Sequence, residues 1–228
     1  MSRVAFNVLE TTLEADIHAD TTFLGGGVLK IYDYNCPVNV QGYEPSLGAK
    51  QYSTISGALA YVNPFTGLKY HLIFHQAIHM PDLDHYLLCP MQCRAKGVVI
   101  NECPRIYCRE TTQESHAIVA MDENVASVVL HFFLRGVTSH LTSMPLTHDE
   151  FEHHGCTLIE LTSRDLTCDP STNIYEDQEN AMMDFQGDIF CPGIIDRGHL
   201  MVIKYVNVST CLDAADVLSD ENFGNVLR

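Results

Sequence analysis

The side chain with the clearest chemical use is a carboxylate near the N-terminus. Asp16 follows a short apolar approach and lies within residues 14 to 24, which read Glu-Ala-Asp-Ile-His-Ala-Asp-Thr-Thr-Phe-Leu. A carboxylate can remove a proton from a water molecule and so help that water to attack a carbonyl group. General acid–base chemistry at Asp16 is therefore the chemistry to consider first.

A second informative stretch follows downstream. Residues 70 to 92 read Tyr-His-Leu-Ile-Phe-His-Gln-Ala-Ile-His-Met-Pro-Asp-Leu-Asp-His-Tyr-Leu-Leu-Cys-Pro-Met-Gln. The apolar content of the first half is typical of a strand, and Pro81 marks a turn after it. A short apolar element, Leu87-Leu88, then precedes Cys89.

Together these two stretches resemble the protease region of copia-type retrotransposon polyproteins, an aspartic protease of the retroviral type. The first matches the active-site turn of that family at Asp16, Ala19, Asp20 and Thr21. The second matches its later turn and its Leu-Leu-Ser element, with Cys89 in the place of the serine. The resemblance covers roughly residues 5 to 95.

The resemblance implies a mainly β fold, a retropepsin-like small closed β-barrel, with an α+β extension after it. It implies an endopeptidase that cleaves a polyprotein as a homodimer, with Asp16 from each chain as the catalytic residue and with no cofactor or metal. The family binds an extended peptide by strand addition beneath a flap hairpin, whose tip would lie near residues 41 to 49. The implied substrate-binding residues are Ala19, Asp20, Gln41, Gly42 and Tyr43, and the residues that shape the active site are Ile17, His18, Thr21, Leu87 and Leu88.

Two residues of the turn depart from the family pattern. Ile17 stands where the family has a hydroxyl that bonds across the dimer, and His18 stands where it usually has glycine. The alternative hypothesis is therefore a catalytically inactive relic of a mobile element, which dimerises or binds peptides.

The remaining chain predicts more strands and a few short helices. Strands are expected at 3–9, 11–16, 36–43, 52–62 and 68–78, with Asn63–Gly67 closing a hairpin. Further on we expect strands at 97–120, around a polar loop, and at 125–133 and 200–208. Thr147 to Glu150 predicts a capping box, residues 163–188 a loop, and 212–227 an acidic helix. We divide the chain into a protease domain, 1–109, and an extension, 110–228.

Charge and composition limit the classes of molecule that this protein is expected to bind. The formal charge of -16 with 13 basic residues argues against direct binding of nucleic acid. The sequence shows no apolar run of membrane-spanning length and no secretory signal at Met1, so we expect an intracellular, cytoplasmic protein.

Cysteine and histidine clusters offer possible metal ligands. The nine cysteines predict reduced thiols, and the spacing of Cys89, Cys93, Cys103 and Cys108 fits zinc poorly. His71, His75 and His79 would share one face of a helix, but their apolar neighbours favour a strand with the histidines on one side.

Overall fold

We analysed a computed structural model of the chain. It describes residues 11–41, 48–122, 124, 126–152, 155–165, 172–182 and 186. By its contacts the chain divides into two units, Met1–Cys168 and Asp169–Arg228. The predicted strands at 3–9 and 200–208 and the predicted helix at 212–227 lie outside the described residues.

The first unit consists mainly of strands. In chain order they are β1 (Thr11–Ala15), β2 (Phe23–Leu24), β3 (Leu29–Gln41), β4 (Ala49–Val62), β5 (Lys69–His79), β6 (Tyr86–Leu88), β7 (Val99–Asn101), β8 (Ala117–Met121), β9 (Ser127–His131), β10 (Phe133–Arg135), β11 (Thr138–Ser143) and β12 (Thr157–Glu160). Two short helices, α1 (Pro90–Ala95) and α2 (His148–Glu152), and a 3₁₀ turn at Arg105–Tyr107 complete this unit.

The strands form two open sheets. The larger, mixed sheet has the order β10-β11-β1-β6-β2-β5-β4-β3, and β12 pairs with β5 on the side that β2 also occupies. The smaller sheet is antiparallel, with the order β7-β8-β9.

The prediction of a small closed β-barrel is wrong. The two edge strands of the large sheet, β3 and β10, lie at opposite ends of the strand order, and the segment after β11 meets β4 at an isolated bridge, Ala60↔Met144, rather than in a strand ladder. The reason lies in β1, which has β6 on one side and β11 on the other. Because β11 then pairs with β10, the sheet continues outward beyond β1 and stays open.

Strands from both sides of residue 109 share the large sheet. β11 pairs with β1 in the register Leu13↔Leu141, and β12 runs parallel to β5 in the register Leu72↔Ile159. Residues beyond 109 therefore complete the sheet that contains Asp16.

The core lies on both faces of β4 and β5. On one face Leu59, Leu72 and Phe74 pack with Leu13 and Leu88. The other face carries Ala58, Ala60 and Ile73, which pack with Leu146 and Phe151. Burial on both faces explains why these strands read as nearly continuous apolar runs.

Local sequence patterns can be compared directly with several of the observed elements. The capping box at α2 is confirmed: the Glu150 amide donates to Thr147 Oγ1 at 3.3 Å, and the Thr147 amide donates to Glu150 Oε2 at 3.1 Å. Asn63 Oδ1 accepts from the amides of Phe65 and Thr66 in the hairpin turn between β4 and β5. Part of the predicted loop at 163–188 is instead a helix, α3 (Ile174–Asn180), in the second unit.

No helix in the described part of the chain is both long and apolar enough to cross a bilayer.

Candidate functional site

The Asp16 turn begins where β1 ends. Ala15 pairs with Leu88 of the parallel strand β6, and the Asp16 amide donates to the Leu88 carbonyl at 3.0 Å. The Ala19 amide donates to the Asp16 carbonyl at 3.2 Å and closes the turn. The backbone of Asp16 is therefore held from β6, a strand that lies about 70 residues later in the chain.

The carboxylate of Asp16 is half-buried and oriented by its own turn. Its Oδ1 accepts a hydrogen bond from the His18 amide at 2.9 Å. This is the local bond by which an aspartate stabilises a turn two residues ahead. It leaves the Oδ2 atom without a hydrogen bond to any described residue, and so open to a water molecule or a second carboxyl group.

A buried polar anchor holds the far end of the turn. Thr22 is fully buried, its amide donates to Gln92 Oε1 at 3.0 Å, and its Oγ1 accepts from the Cys89 amide at 3.3 Å. Gln92 Nε2 also donates to the carbonyls of His75 and Gln76 in β5, at 3.4 and 3.2 Å. Helix α1 thus ties the Asp16 turn to the central sheet through one side chain, Gln92.

Sequence reasoning missed Thr22 and Gln92. It named Thr21, which is only partly buried, while the buried anchor is the next residue. A single sequence gives no signal for this pairing, because the two residues are 70 positions apart and become partners only when β6 lies between β1 and β2.

The structure brings most of the predicted site residues together. Ile17, His18, Ala19, Asp20 and Thr21 form the turn with Asp16, and Leu87 and Leu88 lie beside it in β6. Ala19 is partly buried, Asp20 and His18 are exposed, Leu87 is partly buried and Leu88 is fully buried.

The predicted flap residues are not brought to the turn by strand pairing. Gln41 is exposed at the end of β3, and four strands separate β3 from β1 in the sheet order. Gly42 and Tyr43 lie outside the described residues.

Three exposed apolar side chains lie at the same end of the sheet as the turn. Ile17 is 65% exposed, Leu134 is 43% exposed and Val137 is 95% exposed. Ala15 pairs with Ser139, and Ser139 pairs with Leu134, so the turn between β10 and β11 lies at the same end of the sheet as Asp16. Adjacent strands are about 4.8 Å apart, which places these side chains within two strand spacings of the turn. We call Ile17, Leu134 and Val137 the apolar rim.

A histidine next to β1 stays uncharged at neutral pH. His140 lies opposite Glu14 in the β1–β11 pair, and its Nε2 and Thr138 Oγ1 are 2.6 Å apart. Burial lowers the pKa of His140, and although Glu14 acts in the opposite direction, the net shift is downward. His140 therefore adds no positive charge beside the turn at neutral pH.

The histidines of β5 do not form a metal site. They lie on a strand, as predicted, but a β-bulge at Gln76, which has φ 53°, reverses the alternation. Ile73 consequently faces one core and Ala77 the other, so His79 does not share the side of His71. Among the described residues, no group of three or more His, Cys, Asp or Glu side chains is arranged to hold a metal ion.

Comparison with known proteins assigns no family to this chain. No family model, no curated protein and no solved structure matches this chain. The resemblance to copia-type proteases therefore rests on the residues of the two stretches alone and stays a prediction.

Proposed function

We propose that this chain is an aspartic endopeptidase of a copia-type element, which cleaves polyprotein peptide bonds as a homodimer. Each chain would supply one Asp16, and the two carboxylates would activate a water molecule between them. The observation that carries the proposal is the Asp16 turn itself, whose backbone is fixed by Leu88 and whose far end is fixed by Gln92. A reactive group held on rigid elements in this way keeps its geometry during reaction.

The chemistry needs both carboxylates in different protonation states. At about 3 Å, one of the two keeps the shared proton and polarises the scissile carbonyl, while the other removes a proton from water. The apparent pKa values then belong to the pair. Asp16 Oδ1 already accepts the His18 amide, so Oδ2 is the oxygen that would face the water and the partner carboxyl.

The apolar rim supports a dimer at this end of the sheet. Exposed apolar side chains that cluster are typical of an interaction surface, and here Ile17 follows Asp16 directly while Val137 lies at the same end of the sheet. The net charge of -16 on each chain opposes association. Salt screens that repulsion and should favour the dimer.

A second candidate function rests on Ile17. Its side chain is exposed in the turn, where the family places a hydroxyl that bonds across the dimer, and isoleucine cannot make that bond. The turn would then be too loosely held across the interface for catalysis. The chain would act as an inactive module that dimerises or binds extended peptides.

The discriminating experiment compares the wild-type chain with Asp16→Asn in a peptide-library cleavage assay. The assay runs between about pH 4 and 6, where a carboxylate pair holds one proton, with and without pepstatin. We expect cleavage by the wild type and a loss of at least about 100-fold in Asp16→Asn, because an amide cannot act as base. Asp82→Asn is the matched control, since Asp82 is an exposed carboxylate in another loop.

Dilution and salt provide the second arm of the same experiment. Activity should fall on dilution and recover with added salt if two chains form the site. Val137→Glu should weaken the dimer without unfolding the monomer, because Val137 is 95% exposed. Cleavage that survives Asp16→Asn would overturn the proposal. A dimer that binds peptides but never cleaves them would favour the second candidate.

A further inference from the structure

We propose that Cys103 and Cys108 form a redox-active dithiol, which closes to an intrachain disulfide by exchange with a low-molecular-weight disulfide of the glutathione type. This inference is independent of the Asp16 site. The two cysteines flank the 3₁₀ turn between β7 and β8.

The two thiols converge on one backbone oxygen. Cys103 Sγ lies 3.7 Å and Cys108 Sγ 3.6 Å from the Pro104 carbonyl oxygen. Cys108 Sγ also lies 3.6 Å from the carbonyl oxygen of Cys103. The side chains therefore point into the same small space, as a bridge requires.

The loop that separates the thiols is already fixed in this shape. Arg105, between them, donates to the Phe132 carbonyl at 3.3 Å and to the His116 carbonyl at 3.4 Å. Its guanidinium also lies 3.1 Å from His131 Nδ1. Because the smaller sheet holds the turn through this side chain, little further chain entropy is lost when the bridge closes.

Exposure distinguishes this pair from the cysteines of α1. Cys103 is exposed and Cys108 is half-buried, whereas Cys89 and Cys93 are both buried. An external disulfide can therefore reach Cys103 and Cys108, and thiol–disulfide exchange depends on such access. Among the described residues no third His, Cys, Asp or Glu joins the pair as a metal ligand, and two sulfurs alone do not make a zinc site.

The exchange proceeds in two balanced steps. The thiolate of one cysteine of the pair attacks one sulfur of glutathione disulfide, forms a mixed disulfide and releases one glutathione thiolate. The other cysteine then loses its proton and attacks the protein sulfur of the mixed disulfide, which releases the second glutathione. In total the two protein thiols are oxidised, one glutathione disulfide is reduced to two glutathiones, and the protons of the two cysteines end on them.

The two thiols are electrostatically coupled. Desolvation raises the pKa of Cys103, and the hydrogen bond and charge of Cys108 raise it further. A thiolate on one sulfur therefore disfavours a second thiolate beside it, so one cysteine attacks first and the other, still a thiol, resolves the mixed disulfide.

The test uses the full chain in glutathione buffers of increasing oxidised fraction, followed by alkylation, trypsin digestion and mass spectrometry. Trypsin cleaves after Arg105, so the thiols fall on separate peptides, 97–105 and 106–109. We expect these peptides to appear joined as the buffer becomes oxidising and to separate on reduction. Cys156→Ser is the matched control and should change nothing. In Cys108→Ser, Cys103 should carry at most one glutathione.

A second variant tests the anchoring role of Arg105. Arg105→Lys keeps the charge and the trypsin site but loses the forked contacts to Phe132 and His116. It should require an oxidised-to-reduced glutathione ratio about tenfold higher for half-oxidation, because the thiols are less well preorganised. Separate alkylation of both thiols in every buffer would overturn the proposal. So would peptides joined only between two chains, seen as a dimer on a non-reducing gel.

Discussion

Two polar clusters, one buried and one partly exposed, meet at His75, and they use different chemistry. The first, which we call the neutral cluster, consists of Thr22, Cys89 and Gln92 and holds the Asp16 turn by bonds between uncharged groups. The second, the ionic cluster, consists of Ser56, the His75 side chain, Glu160 and Lys96. There His75 Nδ1 lies 2.9 Å from Ser56 Oγ, and His75 Nε2 lies 3.6 Å from Glu160 Oε1. Glu160 also pairs with Lys96.

The two clusters should differ in how their strength depends on pH. Hydrogen bonds between amides, a hydroxyl and carbonyls do not titrate, so the neutral cluster should be as strong in acid as at neutral pH. The ionic cluster depends on an ionised Glu160. The endopeptidase that we propose would work in acid, and the Asp16 turn is held by the cluster that does not titrate.

The largest expected effect comes from removing the centre of the neutral cluster. Gln92→Ala should destabilise the fold by about 3 kcal/mol, because it leaves the buried Thr22 amide and the carbonyls in β5 unsatisfied and also opens a cavity. Urea unfolding measures this loss. Met91→Ala, at an exposed position of the same helix, should cost under about 1 kcal/mol. A Gln92→Ala loss that shrinks markedly from pH 7 to about pH 4 would break the comparison, since these groups do not titrate.

A smaller effect is expected at Thr22. Thr22→Val keeps the shape but removes the oxygen that accepts the Cys89 amide, which should cost about 1–2 kcal/mol. Thr21→Val is the matched control, because Thr21 is only partly buried, and it should change stability by less than about 0.5 kcal/mol. Equal losses in thermal or urea unfolding at the two positions would show that Thr22 is not the anchor of the turn.

The ionic cluster should stabilise the fold less than the neutral cluster does, and only above acid pH. His75, whose Nε2 lies 3.6 Å from Glu160 Oε1, and then the pairing with Lys96 lower the pKa of Glu160 from 4.5 to about 2, although burial acts in the opposite direction. Because the folded-state pKa lies below the unfolded value, the stabilisation is fully present above about pH 4.5 and is lost as the pH falls to about 2.

The corresponding variant is Glu160→Gln. Glu160 is 43% exposed, so solvent screens the pair, and we expect a loss of only about 1 kcal/mol at pH 7. The difference from wild type should vanish near pH 2. Glu114→Gln, which changes an exposed carboxylate, should show no such pH dependence. A Glu160→Gln deficit that is constant across this pH range would mean that the ionic cluster acts by packing alone.

The sequence by itself predicted much of the local structure. The turn residues Asn63–Gly67 and the β-branched and aromatic content of residues 68–78 placed the hairpin of β4 and β5, and the capping box placed the start of α2. The apolar approach to Asp16 placed that residue at the end of a strand. These features depend on neighbours within a few residues, so the order of side chains along the chain is enough to determine them.

Tertiary structure alone decided the rest. The open sheet follows from the pairing of β1 with β11, whose residues are up to 132 positions apart, as in the bond between Thr11 and Ser143. The bulge at Gln76 separates histidines that strict alternation would have put together, and Arg105, between Cys103 and Cys108, bonds to the Phe132 carbonyl 27 residues later. The anchor of the Asp16 turn is a partnership of Thr22 and Gln92 across 70 residues. Contacts of this kind depend on which strands become neighbours, and local sequence pattern does not carry that information.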